Sequence, residues 1–156
     1  DSKRLEQRSF AGHTALPLKL SLKPHEKFVV NGVVLSNGDR RASLVVENKA
    51  SILREKDIIQ QADADTPAKR VYFPIMMMNL SPEDTASYYE EFALRMTEFM
   101  SAVTNREALA TCVGISKDVM AGNFYKALMK CRKLFEFEQT RLSYVPAGVP
   151  ASAAHG

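Results

Sequence analysis

Leu18, Leu20 and Leu22 alternate with Lys19 and Ser21, the two-residue period of a strand with one buried face. Lys23-Pro24-His25-Glu26 punctuates the run, and Lys27 to Val30 reads as a second strand. Asn31-Gly32 follows. Both residues tolerate positive φ, so the pair predicts a type I′ hairpin turn. Val33 to Leu35 resumes the strand pattern, and Asn37-Gly38-Asp39 turns again. Arg40 to Glu47 sets Ala42, Leu44 and Val46 against Arg41, Ser43 and Val45. Asn48-Lys49 makes a further turn, and Ala50 to Arg54 is the last strand. Four or five short strands with tight turns predict a small antiparallel sheet or barrel over 16–62.

The period then changes from two to between three and four. Gln60 to Asp65 is polar and marks a boundary. Thr66-Pro67 reads as an N-cap with Pro at the first helical position, opening a helix over Ala68 to Leu80 that Pro74 must kink or interrupt. Ser81-Pro82-Glu83-Asp84 starts a second helix, whose stripe is Tyr88, Phe92, Met96, Phe99 and Val103. A shorter helix runs from Asn105 to Val113 and stops near Gly114. Ser116 then caps a last helix to about Arg141, with Phe124, Leu128, Cys131 or Arg132, and Phe135 on one stripe. Strands followed by helices predict an α+β chain rather than an alternating one. The expected division is a β domain at 16–62 and a helical domain at 63–142, with flexible tails at 1–15 and 143–156.

Composition narrows the classes. The chain has 156 residues, 46 % of them hydrophobic, enough to bury a core. No apolar run approaches the ~18 residues of a membrane span, and the first residues lack the apolar core of a secretory signal. Cys112 and Cys131 are too few for a disulfide framework, and predict reduced, buried thiols in a cytoplasmic protein. The seven methionines all fall in the helical half, as adaptable core packing or as a face that repacks around a partner. Charge is uneven. Residues 16–62 carry eight Lys/Arg against five Asp/Glu, 81–103 one against five, and 117–142 six against three. That pattern suits nucleic-acid binding or packing between complementary segments.

Catalytic chemistry is sparse. His13 and His155 lie in the tails and His25 in a turn, and no Cys/His set has metal-ligand spacing. No phosphate-binding glycine loop is present. Asp63 and Asp65 lack the glycine and glutamate of a calcium loop. These patterns predict a non-enzyme without catalytic residue, metal or cofactor. The other candidate is the charge knot Arg54-Glu55-Lys56-Asp57, which closes the last strand. It is either an exposed turn whose charges offset one another or a surface on which Arg54 contacts nucleic acid.

The stretches LKLSLKPHEKFVVNG, RRASLVVENKASILREKDII and TPAKRVYFPIMMMNL resemble the FlbT family of flagellin post-transcriptional regulators. The resemblance covers roughly Leu16 to Arg141, with Pro74 and Asn79 as departures. It implies a cytoplasmic regulator that binds the 5′ untranslated region of flagellin mRNA, altering its translation and decay as a repressor or as an activator, and works with or against a small partner, FlaF. The strand half is also similar to the carbon storage regulator family, small β proteins that bind GGA motifs in messenger leaders. On that similarity Arg54 matches an RNA-contacting arginine, Leu22 stands where that family has a first-strand arginine, and Lys23 is its neighbour. It also implies a homo-oligomer. The expected RNA-binding face is therefore Arg54 with Lys56, Lys23, Lys27, Arg40 and Arg41. The competing reading is a protein-interaction module acting through FlaF or flagellin, with an indirect effect on the messenger.

Overall fold

The structure is a computed structural model that describes residues 17–143, with side chains as far as residue 140. Five strands, β1 (Leu18–Leu22), β2 (Lys27–Val30), β3 (Val33–Ser36), β4 (Ala42–Val46) and β5 (Ile52–Arg54), precede four helices, α1 (Pro67–Leu80), α2 (Thr85–Ala102), α3 (Arg106–Met120) and α4 (Phe124–Ser143). This is the expected α+β order. The chain divides into two units between Ile58 and Ile59, slightly before the polar stretch read as the boundary. The expected tails lie outside the described residues, apart from Ser143, which ends α4.

The strands form two sheets rather than one sheet or barrel. β1 pairs antiparallel with β4, Leu18 opposite Val46 and Leu22 opposite Ala42. β2 sits between β3 and β5, both antiparallel to it. Asn31 and Gly32 join β2 to β3 with φ of 49° and 82°, as a type I′ turn requires. β3 and β4 follow one another in sequence but do not pair with each other. The segment between them is held elsewhere, because the Asn37 carboxamide donates to the carbonyls of Lys23 and Arg40 at 2.7 and 2.9 Å. Leu20 and Leu22 fill the inner face of β1, and Val29 and Leu53, opposite one another, are fully buried. Each such side chain contributes about 1.5–3 kcal/mol relative to exposure.

In the helical unit α1 is central and buried around most of its circumference, with α2 and α4 packed against it. Tyr72 meets Phe135 of α4 at 5.4 Å between ring centroids, and Phe73 meets Tyr88 of α2 edge-on at 6.5 Å. Thr66 caps α1 as its sequence predicts, its hydroxyl oxygen accepting from the Lys69 N–H. Glu138 of α4 completes that cap, accepting from the Thr66 hydroxyl and the Ala68 N–H at 2.8 Å each. Pro74 does not interrupt the helix, which is continuous over 14 residues. Its ring is fully buried, and packing on neighbouring helices outweighs the lost backbone bond.

The boundary expected at Gly114 and Ser116 is wrong. α3 runs through both, and the Ser116 hydroxyl donates back to the Cys112 carbonyl at 2.9 Å instead of capping a new helix. The helix ends at Gly122, whose φ is +78°. The Gly122 N–H donates to Val119 and the Asn123 N–H to Asp118, the double bond of a Schellman motif. Gly114 instead passes beside the Lys130 side chain of α4, which reaches Asp118 at 2.7 Å.

These two glycines should respond oppositely to alanine. Gly122→Ala places a Cβ in left-handed backbone and should lower the unfolding free energy by about 1–2 kcal/mol. Gly114→Ala meets only ordinary contacts from 3.5 Å outward and should be neutral or stabilising by up to about 1 kcal/mol. Urea denaturation of both variants measures the difference, and a larger loss at Gly114 would restore the boundary there.

Candidate nucleic-acid interface

The register brings the sequence-predicted cations to one end of the β unit. β1 and β5 finish there, and β2 and β4 begin there. Lys23 follows β1 and Arg41 precedes β4, next to the Leu22–Ala42 pair. Lys27 opens β2 opposite Ser36, and Phe28 lies opposite Arg54. Lys56 lies in the 3-10 turn Glu55–Asp57, directly after β5. Asn37 ties the backbone of Lys23 to that of Arg40. The six residues thus share an end of the strands rather than one face of a sheet.

They do not share a chemical state. Lys23, Lys27, Arg40, Arg41 and Lys56 are exposed. Arg54 is engaged inside the unit. Its Nε and Nη2 both donate to Glu26 Oε2, at 3.0 and 2.7 Å, and Nη2 also donates to the Ser21 carbonyl at 2.8 Å. Its side chain keeps 29 % exposure, against 8 % for Glu26. The charge knot is therefore an ordered structure. The Asp57 carboxylate accepts from the Arg54 N–H at 3.0 Å, and Glu55 accepts from the Lys27 N–H. Its acids hold backbone at the strand ends, beside the exposed lysines.

Glu26 is the residue that the alternation pattern misses, together with Asn37. Lys23, Pro24, His25 and Glu26 form a tight turn closed by the Glu26 N–H on the Lys23 carbonyl, with His25 at φ +60°. The turn aims the Glu26 side chain inward. Its Oε1 accepts from the Lys23 N–H at 3.0 Å. That bond, and then the Arg54 guanidinium, hold its carboxyl below the usual carboxylate range, against the opposing pull of burial. The signal in the sequence is a glutamate closing a Pro-containing turn, together with a strand-terminal arginine. Alternation alone assigns such a glutamate to solvent.

The helical unit has a different surface. A cavity of about 700 Å³ is lined by apolar groups, among them Pro67, Phe99, Val103 and Phe137. Cys112 and Cys131 are free and fully buried. Burial pushes the Cys112 thiol up to about 11, and burial, then Cys112, pushes Cys131 higher still. Neither is poised as a nucleophile. Among the described residues no group of three His, Cys, Asp or Glu side chains could hold a metal ion, and no helix is long and apolar enough to cross a membrane.

Comparison with known proteins gives a consistent result. The family model for the flagellar protein FlbT matches residues 18–142. The chain is 56 % identical over 141 residues to the flagellum biosynthesis repressor protein FlbT of Caulobacter vibrioides, covering 90 % of this chain and 100 % of that one. It is 60 % identical over 130 residues to a probable flagellum biosynthesis repressor protein FlbT of Caulobacter sp. strain K31, covering 83 % and 99 %. A counterpart from Rhodopseudomonas palustris is 37 % identical over 129 residues, covering 82 % and 99 %. No solved structure gives a significant match, so the likeness of the strands to carbon storage regulators rests on sequence.

The lowered pKa of Glu26 makes the β unit acid-sensitive. Ionised Glu26 stabilises the fold above the ordinary carboxylate value of about 4.3, and that contribution is lost as pH falls from there through the lower folded value. Denaturation followed at the Val29 and Leu53 amides should show wild-type stability dropping below about pH 4.3, and Glu26→Gln should be weaker at neutral pH with a flatter acid profile. Parallel profiles for the two proteins would remove Glu26 from this role.

Proposed function

The chain belongs to the FlbT family of flagellar proteins, and we propose that it represses flagellum biosynthesis by binding the 5′ untranslated region of flagellin mRNA. The observation that supports this most is the gathering of Lys23, Lys27, Arg40, Arg41 and Lys56 at one end of the β unit, all exposed. Five cations on fixed backbone suit the phosphates of a folded leader. Arg54 organises that end through Glu26 and keeps part of its side chain accessible. Phe28, the sole aromatic among the unit's described residues, is buried, so base stacking contributes little. Leu22, where carbon storage regulators carry an arginine, is core, so the site reads RNA by other contacts than theirs. Occupying the leader blocks translation and exposes the message to decay. No catalysis or cofactor is needed, and the action is cytoplasmic, where the messenger is.

The helical unit then serves the protein partner. Its apolar cavity is the observation that favours the second reading, a module acting through FlaF or flagellin with indirect effects on the messenger.

Binding of the full chain to a flagellin leader and to a scrambled RNA of equal length, at two salt concentrations, separates the readings. Wild type should prefer the leader. Substituting Lys23, Arg40 and Arg41 by alanine should weaken binding and reduce the log–log salt slope by about one for each phosphate no longer neutralised. Equal binding of both RNAs, unchanged by the substitutions, would overturn direct recognition and leave the protein-interaction reading.

A further inference from the structure

The cations at the end of the β unit supply grip without choice. Phosphates line every RNA, paired or unpaired, and a lysine beside them does not tell the two apart. Unpaired bases are recognised by stacking on planar side chains, histidine among them. Phe28 is buried, which leaves one exposed planar ring among the unit's described residues, the imidazole of His25.

His25 stands between Lys23 and Lys27, in the turn that joins β1 to β2. Its backbone is pinned from two directions. Its own N–H donates to the Gly38 carbonyl at 2.8 Å, and the Glu26 N–H donates to the Lys23 carbonyl at 3.1 Å. The imidazole, in contrast, has no hydrogen bond, ion pair or ring contact among the described residues. The φ of His25 is +60°, left-handed backbone that glycine enters freely and that a residue with a Cβ enters at a cost. The other non-glycine residue at positive φ, Asn31, has a structural use for its side chain, whose Oδ1 accepts from the Ser51 N–H at 2.9 Å. The His25 ring has no such use. A strained residue whose side chain serves nothing inside the fold points to a contact outside it.

We propose that the His25 ring stacks on an unpaired base of the bound RNA, with Lys23 and Lys27 holding phosphates on either side. This rests on the RNA reading and adds to it the residue that touches a base. The RNA it selects has at least one nucleotide out of its helix, because a paired base within a duplex offers no free face. One ring gives one stacked base, so stacking stays a small part of the affinity and becomes the part that separates unpaired from paired RNA. It neutralises no phosphate, so its loss leaves the salt dependence unchanged.

The test titrates the full chain with a single-stranded oligonucleotide from a flagellin leader, and with the same strand annealed to its complement. His25→Gly should bind the single strand about fivefold or more weakly than wild type, with its affinity for the duplex and both salt slopes unchanged. Glycine relieves the left-handed backbone, so this variant should denature no earlier than wild type, which separates lost binding from lost folding. In the wild-type protein the His25 ring protons should move upfield on adding the single strand, under the ring current of the stacked base, and stay in place with the duplex. Unchanged single-strand affinity in His25→Gly, equal losses for both RNAs, or unmoved ring protons would overturn the inference and leave the phosphate contacts standing. Wild type that binds neither RNA would overturn both.

Discussion

The β unit depends on one ion pair. Its two sheets share no ladder, and the Arg54 side chain bridges them, with Nη2 on the Ser21 carbonyl of β1 while Arg54 itself ends β5. Glu26 holds that guanidinium in place from a third position, the turn between β1 and β2. Removing either partner leaves the other charge poorly solvated, so the pair is hard to replace one residue at a time. Its geometry also fixes the surroundings. The same glutamate accepts from the Lys23 N–H, and the Arg54 N–H is held by Asp57, so the lysines on either side take their places around this pair.

Much of this architecture is legible in the chain. β1 and β2 have the bounds their alternation predicts, Asn31-Gly32 makes the turn it encodes, and Thr66-Pro67 opens α1. These are local signals, with cause and effect within a few residues. What is not legible is non-local. Alternation identifies strands without naming partners, so nothing in it reveals two sheets, or that Asn37 holds Lys23 and Arg40. Gly114 reads as a stop because glycine is poor in helices, yet packing beside Lys130 keeps it helical while Gly122 terminates. The six basic residues are identifiable by type. Their common end comes from register, and the engagement of Arg54 comes from a glutamate 28 positions away.

The two units present different chemistries. The strands offer cations at one end and bare apolar edges along β3 and β4. The helices keep their cysteines and much of their methionine bulk inside and open an apolar cavity near the N-terminus of α1. Within this family of flagellar proteins, one chain thus carries a polar, cationic surface and an apolar one on separate units.

The cap of α1 carries a consequence for the order of assembly. The Ala68 N–H finds its acceptor 70 residues further along, and the Thr66 hydroxyl 72, both on Glu138. During synthesis α1 is made first in its unit, yet its leading end stays unfinished until the carboxylate of Glu138 has emerged. The helical unit therefore consolidates late and nearly at once, its last helix acting as the clasp of its first. A chain interrupted anywhere before that glutamate would leave the most buried helix of the unit frayed at its start and open to proteases.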